Sequence, residues 1–357
     1  MTRNIRRANQ ALASVAVLLL VVAVTATLRS SPTSLAGAAA APVGWSLLQK
    51  FGASEGGGPG TLGMVGGAVL GDSGRVVVLD VVAKKVRVFD RGGRTAREMG
   101  REGAGPGEFR DPVALTTDPG GRVYVLDRIN RRVEVFEAGS GTPLGGFRVP
   151  FAGEDLCFLG ERLFLLGAHG GNLLHEASPA DGRILRSFAP DGDSSDLLLS
   201  SYRASGYLAC GPGDEVAFLP LLRPEVTRFR ASTGERAGTA PIPGYRAVKV
   251  SRRENGAVVF EAPEGGVHDY AASIVSRSSG GHLVQVGPIP QGATTRHEFE
   301  STRSFVVSWQ DDTVREIPGE LPRLMYVRND TALAALTSPA PAVWMVDLES
   351  RGPEDPQ

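Results

Sequence analysis

The chain has 357 residues, 42% of them hydrophobic, so it is long enough to bury a large core. Lysine and arginine (38) nearly balance aspartate and glutamate (39), and the formal net charge is −1. Without an excess of positive charge the chain has no electrostatic footprint for nucleic acid, so DNA and RNA are excluded as expected partners. The 46 glycines and 24 prolines, with only 6% aromatic residues, favour many turns and short strands over long helices.

Residues 1–42 differ in kind from the rest of the chain. Three arginines precede an uncharged apolar run, Ala11–Leu28, and an alanine-rich stretch follows as far as Pro42. A basic segment before an apolar run predicts an N-terminal helix that is either a cleaved signal peptide or a retained membrane anchor. The sequence leaves both alternatives open. Both place the following residues outside the cytoplasm, in the periplasm or at the cell surface, and the membrane is expected as a partner only through this segment.

A repeated phrase follows the leader. Residues 74–80 read GRVVVLD and residues 121–127 read GRVYVLD, and each is followed by an alternating strand, KVRVF or RVEVF. Arg122 lies 47 residues after Arg75. A period of 40–50 residues with several short strands in each copy predicts a β-propeller.

Weaker copies of the phrase continue along the chain. Their counterparts of Arg75 are Arg162, Glu215 and Gly256, and strands at 330–336 and 343–347 suggest a sixth unit. The stretch from Gly280 to Arg323 is expected to hold the outer part of the fifth unit and the inner strand of the sixth. This count predicts six blades, with seven as the alternative.

The ends of the repeat region predict how the ring closes. Trp45–Phe51 matches the outermost strand of a blade but has no blade of its own before it, whereas the last unit stops near Leu348 without a fourth strand. The first strand can therefore complete the last blade and cover two open sheet edges. The predicted organisation is a leader over 1–42, an all-β propeller over 43–349 closed by the N-terminal strand, and a disordered tail over 350–357.

The second unit resembles an NHL repeat. Residues 126–136 read LDRINRRVEVF, and the preceding linker, GAGPGEF at 103–109, is similar to the linkers between NHL blades. The resemblance implies a six-bladed propeller, and it implies no activity because this fold carries many functions. The turn residues have structural roles in this interpretation: the carboxylate or amide caps backbone amides, and the arginine bonds to the aspartate opposite it. These residues are Asp80, Asp127, Asn130 and Arg132.

The chain contains little that predicts catalysis or metal binding. The five histidines lack ligand spacing, and the acidic run at 191–196 begins like a calcium loop but lacks its terminal glutamate. No catalytic residue and no resident cofactor is predicted, and calcium or another divalent ion in the central channel is the alternative. Cys157 and Cys210 are either two buried small residues or, in an exported protein, a disulfide.

Two stretches depart most from the repeat, residues 191–207 and residues 280–303. Insertions between blades collect on one face and commonly form the recognition surface. Tyrosine and arginine dominate binding sites, and the candidates near these stretches are Tyr202, Arg203, Tyr207, Arg223, Tyr245 and Arg246. The sequence thus predicts a binding or scaffold module for a protein or small molecule, with the oligomeric state open. The alternative is a propeller enzyme, a lactonase-like hydrolase or lyase that uses a divalent ion in the channel.

Overall fold

The structure, a computed structural model, describes eleven stretches of the chain, namely residues 45–52, 60–71, 74–192, 197–223, 225–254, 256–263, 266–288, 302–311, 313–329, 331–337 and 340–348. The predicted leader and tail lie outside these described residues. Within them, no helix is long and apolar enough to cross a membrane.

The described strands form six four-stranded antiparallel sheets and one two-stranded sheet. The first strand, β1 (Trp45–Phe51), belongs to the last blade. Blade 1 consists of β2 (Val65–Leu70), β3 (Val76–Asp80), β4 (Lys85–Phe89) and β5 (Thr95–Met99). Blade 2 consists of β6 (Pro112–Thr117), β7 (Arg122–Asp127), β8 (Arg132–Glu137) and β9 (Pro143–Arg148). Blade 3 consists of β10 (Asp155–Leu159), β11 (Arg162–His169), β12 (Asn172–Ala177) and β13 (Ile184–Pro190).

A short helix, α1 (Leu197–Ala204), connects blade 3 to blade 4. Blade 4 consists of β14 (Gly206–Gly211), β15 (Glu215–Pro220), β16 (Glu225–Arg230) and β17 (Arg236–Pro241). A hairpin of β18 (Lys249–Arg252) and β19 (Val258–Glu261) follows. Blade 5 consists of β20 (Tyr270–Ser276), β21 (His282–Gly287), β22 (Arg303–Ser308) and β23 (Thr313–Ile317). Blade 6 consists of β24 (Arg323–Arg328), β25 (Thr331–Leu336), β26 (Ala342–Leu348) and β1.

The hydrophobic core lies between the blades. The innermost strands contact one another in a ring, β2 to β6, β10, β14, β20, β24 and back to β2. Each junction between neighbouring blades holds its own cluster of buried apolar side chains. Because the strands are buried on both faces, they read as runs of valine and leucine, such as Val76–Leu79, rather than as a strict alternation.

The N-terminal strand closes the ring as predicted. β1 pairs antiparallel with β26, with Trp45 opposite Leu348 and Phe51 opposite Val343, and a bulge lies near Leu48. Phe51 is fully buried at the junction of blades 6 and 1, with its ring centroid 5.9 Å from that of Phe89. A sheet edge that would otherwise remain open on the last blade is therefore covered.

The predicted position of the fifth unit is wrong, although the predicted number of blades is confirmed. The strand around Gly256 belongs to the hairpin β18–β19 and not to a blade. Blade 5 begins instead at Tyr270, and the strand at 304–308 is its third strand, β22. The 41-residue spacing from Glu215 to Gly256 matches the repeat only by coincidence, because the hairpin lies in the connection between Pro241 of blade 4 and Tyr270 of blade 5.

Buried carboxylates fasten the linkers of the first two blades. Asp127 accepts the backbone N–H of Arg110 at 2.7 Å and that of Asn130 at 2.9 Å. Asp80 accepts the corresponding backbone groups in blade 1, at 2.9 Å from Gly63. Arg132, expected to bond to Asp127, instead directs its guanidinium to Glu134, the Ala104 carbonyl and the Glu108 carbonyl. It thereby holds the linker before its blade rather than the turn within it.

Cys157 and Cys210 form a disulfide. The two residues lie on β10 and β14, the inner strands of blades 3 and 4, with their Cα atoms 5.8 Å apart. The sequence left open whether these cysteines are free buried residues or a disulfide, and the structure contains the disulfide. The bond fixes these two blades beside the central axis, on the side of the ring away from the closing strand.

The closure can be tested on a single strand. Phe51→Ala is expected to lower the free energy of unfolding by about 3–5 kcal/mol, because it empties a fully buried site at the closing junction. Leu48→Ala on the same strand is the control and should change it by less than about 0.5 kcal/mol, because Leu48 is 54% exposed. Urea denaturation measures both, and equal losses would contradict the assigned closure.

Removal of the disulfide should also destabilise the ring. Cys157→Ala combined with Cys210→Ala is expected to lower the free energy of unfolding by about 2–4 kcal/mol, because the bond closes a loop between residues 53 apart. Dithiothreitol should lower the stability of the wild-type protein to that of the double variant and leave the variant unchanged. A wild-type protein with equal stability with and without reductant would show that the bond does not contribute.

Candidate binding surface

Two insertions flank blade 4, the helix α1 and the hairpin β18–β19, and both lie on the same face of the propeller. The stretch 280–303, predicted as the second insertion, contains strand β21 of blade 5, and its residues 289–301 lie outside the described residues. In each blade the inner strand begins near the turn between the second and third strands, as shown in blade 2 by the backbone N–H of Arg128, which donates to the Asp111 carbonyl at 3.0 Å. Residues after α1 meet the equivalent turn of blade 4, where Leu221 N–H donates to the Ser205 carbonyl at 2.8 Å. We call the surface formed by α1, the hairpin β18–β19 and the turn at 221–223 the insertion face.

Tyr202 joins the helix to the hairpin. Its ring packs edge-on against Phe260 of β19, with centroids 4.7 Å apart. Burial raises the pKa of Tyr202. Burial also raises the pKa of Tyr270, and the neighbouring Tyr202 raises that pKa further. This aromatic contact links the hairpin, which lies between blades 4 and 5, to the helix between blades 3 and 4.

Arg203 and Arg223 lie together beside a buried aspartate. Arg203 is 3.3 Å from Asp191, which also accepts the Ser200 hydroxyl. Burial is the main reason that the pKa of Arg223 lies below its usual value, and the charge of Arg203 lowers it further. The Arg223 side chain remains 44% exposed and pairs with Glu225 at 3.5 Å. Three of the predicted residues, Tyr202, Arg203 and Arg223, therefore lie on the insertion face.

Tyr245 and Arg246 hold the connection that carries the hairpin. The Tyr245 hydroxyl donates to the Asp269 carbonyl at 2.8 Å, and burial strongly raises its pKa. Arg246 binds the buried Asp269 carboxylate at 2.6 Å, and Arg303 approaches the same carboxylate at 3.3 Å. Burial alone would raise the pKa of Asp269, but its bonds to Arg246 keep the pKa below the usual value. A binding role for these two residues stays a prediction.

Tyr207 lies apart from the other candidates, on the wall of the central channel. Its hydroxyl is 3.4 Å from the Arg323 guanidinium, whose Nε donates to the Ala272 carbonyl at 2.8 Å. The Arg323 side chain therefore reaches from blade 6 past blade 5 to blade 4. Tyr207 therefore lines the channel, whereas the sequence analysis grouped it with the candidates for the recognition surface.

The inner strands enclose a cavity of about 430 Å³ along the axis. Apolar side chains such as Leu156, Leu208 and Ile274 line it, together with the cystine and polar residues such as Asp118 and Arg328. Within the described residues, no three histidine, cysteine, aspartate or glutamate side chains are grouped as metal ligands would be. The predicted calcium-like run is only partly inside the described residues.

Two histidines are buried structural groups. His175 lies 2.8 Å from the Ser187 hydroxyl and 2.9 Å from the Gly167 carbonyl, and His282 accepts the indole N–H of Trp309 at 2.9 Å. Burial lowers the pKa of each to about 4. Both rings are therefore neutral at physiological pH.

Sequence reasoning missed Phe260 of the insertion face and Asp269, the buried carboxylate that holds the connection to the hairpin. Residues 249–261 read KVSRRENGAVVFE, in which an Asn-Gly pair separates two short strand-like segments. An Asn-Gly pair between such segments is a strong hairpin signal. This pair predicts a hairpin at 249–261, whereas the repeat spacing predicts a blade strand there. The partners of Asp269 depend on the folded connection and have no local signal.

The comparisons with known proteins agree with the observed architecture. Residues 67–165 match the model of the DUF5128 family, described as a 6-bladed beta-propeller. The chain is a six-bladed β-propeller. The comparison with curated proteins gives no match. The finer resemblance to NHL repeats stays a prediction.

Solved structures with the same fold are distant in sequence. A protein of Bacteroides fragilis that is inferred to be exported has a TM-score of 0.55 at 13% identity, over 85% of this chain and 95% of that one. The WD40 repeats of RRP9 have a TM-score of 0.54 at 11% identity, over 85% and 97%. Virginiamycin B lyase from Staphylococcus aureus has a TM-score of 0.50 at 11% identity, over 85% and 100%. At these identities the likeness shows the fold alone.

The buried histidines predict a loss of stability in acid. The pKa of each histidine is about 4 in the folded protein and 6.5 in the unfolded chain, so the unfolded chain binds protons more readily. The stability that is present above pH 6.5 is therefore lost as pH falls towards 4. At pH 5 each ring should cost about 2 kcal/mol. Urea denaturation at pH 7.5 and pH 5.0 measures this loss.

The variant His282→Asn should lose about 2 kcal/mol less than the wild-type protein between the two pH values, because asparagine keeps an acceptor for Trp309 but does not titrate. Identical pH dependence in His282→Asn and wild type would contradict the assignment.

Proposed function

We propose that this protein works outside the cytoplasm as a module that binds a protein or small-molecule partner at its insertion face. The observation that carries the proposal is the position of the two insertions. A propeller needs only short linkers between blades, yet the connections on either side of blade 4 carry a helix and a hairpin on one face. Insertions that add little to the core but build one surface are typical of recognition.

The chemistry of that surface supports the same conclusion. Tyr202 is only half-buried, and Arg203 and Arg223 lie near it with partly exposed guanidinium groups. Aromatic and arginine side chains of this kind supply most of the binding energy in protein interfaces. The pairs Arg203–Asp191 and Arg223–Glu225 hold the arginines in place before a partner arrives, which reduces the entropy lost on binding.

Two features support the location outside the cytoplasm. Disulfides persist in oxidising compartments and are rare in the cytosol, and Cys157 is bonded to Cys210. The basic and apolar pattern of residues 1–28 is typical of an export signal or anchor. Both features support a chain that crosses the membrane before its disulfide forms.

Affinity capture with the purified full chain tests the proposal. Envelope and secreted fractions of the source cells are passed over the immobilised wild-type protein, and bound proteins and small molecules are identified by mass spectrometry. Arg203→Ala combined with Arg223→Ala should lower recovery of the specific partner at least tenfold, because the two guanidinium groups beside Tyr202 are lost.

The control for this experiment lies on the opposite face. Arg94 and Arg183 are exposed arginines in turns between third and fourth strands, and Arg94→Ala with Arg183→Ala should capture the partner as the wild type does. Thermal melting of all three proteins checks that loss of the Asp191 pair has not unfolded the blade. Recovery that is equal for all three proteins would refute the proposal.

A further inference from the structure

The hairpin on the insertion face is an incomplete sheet. Every blade has four strands, whereas β18 and β19 pair only with each other among the described residues. A two-stranded hairpin is marginally stable by itself, and here the contact between Phe260 and Tyr202 supports it. Each of its strands retains an outer edge with backbone N–H and C=O groups that could pair with a further strand.

The register identifies which groups point outward. Arg253 N–H donates to the Ala257 carbonyl at 2.9 Å, so these residues form a hydrogen-bonded pair. Such pairs alternate along an antiparallel ladder. Ser251 and Val259 are the next hydrogen-bonded pair, and the intervening residues Val258 and Phe260 therefore direct their N–H and C=O groups away from β18. Val250 and Arg252 do the same on the β18 edge.

The two edges differ in chemistry. β18 carries Lys249 and Arg252 and is followed by Arg253, all exposed, and charges of this kind protect an edge from pairing. β19 carries Val258, Val259 and Phe260, which are half-buried, with no charge before Glu261. Valine and phenylalanine favour strands. The unprotected edge is therefore that of β19.

We infer that β19 binds an extended peptide segment of a partner protein as a third strand of the hairpin. This inference rests on the proposed function and adds the mode of binding and the class of partner. In this mode the backbone bonds supply affinity and the alternate side chains supply specificity. The partner segment is apolar where it faces β19, and acidic residues flank it because the partly exposed side chains of Arg203 and Arg223 lie on the same face.

The size of the edge argues for a peptide rather than a second copy of this chain. Four residues of strand span about 13 Å. Pairing two such edges buries far less than the roughly 1,200 Å² that a stable dimer needs. A flexible peptide can extend beyond the edge and contact the arginines of the insertion face.

A library of random 12-residue peptides displayed on phage provides the test. The wild-type full chain should enrich sequences with apolar residues at alternate positions and acidic flanks. An enriched peptide, labelled with fluorescein, is then titrated by fluorescence anisotropy against two matched variants. Val258→Pro removes an outward N–H from β19, and Val250→Pro removes one from β18, while neither removes a bond between the two strands.

Val258→Pro should raise the dissociation constant at least tenfold, and Val250→Pro should change it less than twofold. The same peptide methylated at alternate backbone nitrogens should also bind at least tenfold more weakly, because it loses donors to the β19 edge. Thermal melting of both variants verifies the fold.

Two results would overturn the inference. One is that no peptide is enriched above a column without protein, and the other is that both proline variants bind the peptide equally. In either case the capture experiment still reports separately on the insertion face. A partner retained there and lost with Arg203→Ala and Arg223→Ala would leave the proposed function standing while strand addition fails.

Discussion

The pairing of β1 with β26 is the constraint on which the rest of the structure depends. Each junction between blades is an apolar cluster with a blade on either side, so a ring with one junction open would expose two such surfaces. The chain supplies five complete blades from consecutive segments, and the sixth only by returning its first strand to its end. Closure therefore links residues that are almost 300 positions apart in sequence. The cost in loop-closure entropy is offset by burial at every junction.

The disulfide complements this closure from the other side of the ring. It joins blades 3 and 4 near the axis, next to the connection that contains α1. The linkers that lead into blades 1 and 2 are fixed by Asp80 and Asp127, whereas the connection from blade 3 to blade 4 carries the helix. A covalent bond is thus present at the junction that this helix-bearing connection spans. The insertion face can in this way carry extra structure without loosening the ring below it.

Much of the fold could be predicted from the sequence, because its signals are local or periodic. The repeated GRVxVLD phrase identified blades 1 and 2, and the unmatched strands at the two ends predicted the closure. The fifth blade could not be placed by spacing, since a strand of the hairpin happens to lie one repeat length after the corresponding strand of blade 4. Tyr202, Arg203 and Arg223 could be named as candidates because they lie in or near a departure from the repeat. Their partners Phe260 and Asp191 are brought to them only by the folded connections, and the sequence carries no local signal for such contacts.

The position of β1 at the outside of the last blade has a mechanical consequence. If residues 11–28 remain in a membrane, any force on the tether acts on the Trp45 end of β1 and peels the strand from β26 one hydrogen-bonded pair at a time. The first pair to be loaded is also reinforced, because the Trp45 ring lies 5.8 Å from that of Trp344 and its indole N–H donates to the Glu320 carbonyl at 3.2 Å. A force on the N-terminal segment would thus first have to separate the Trp45 and Trp344 rings, before it broke the remaining backbone hydrogen bonds between β1 and β26.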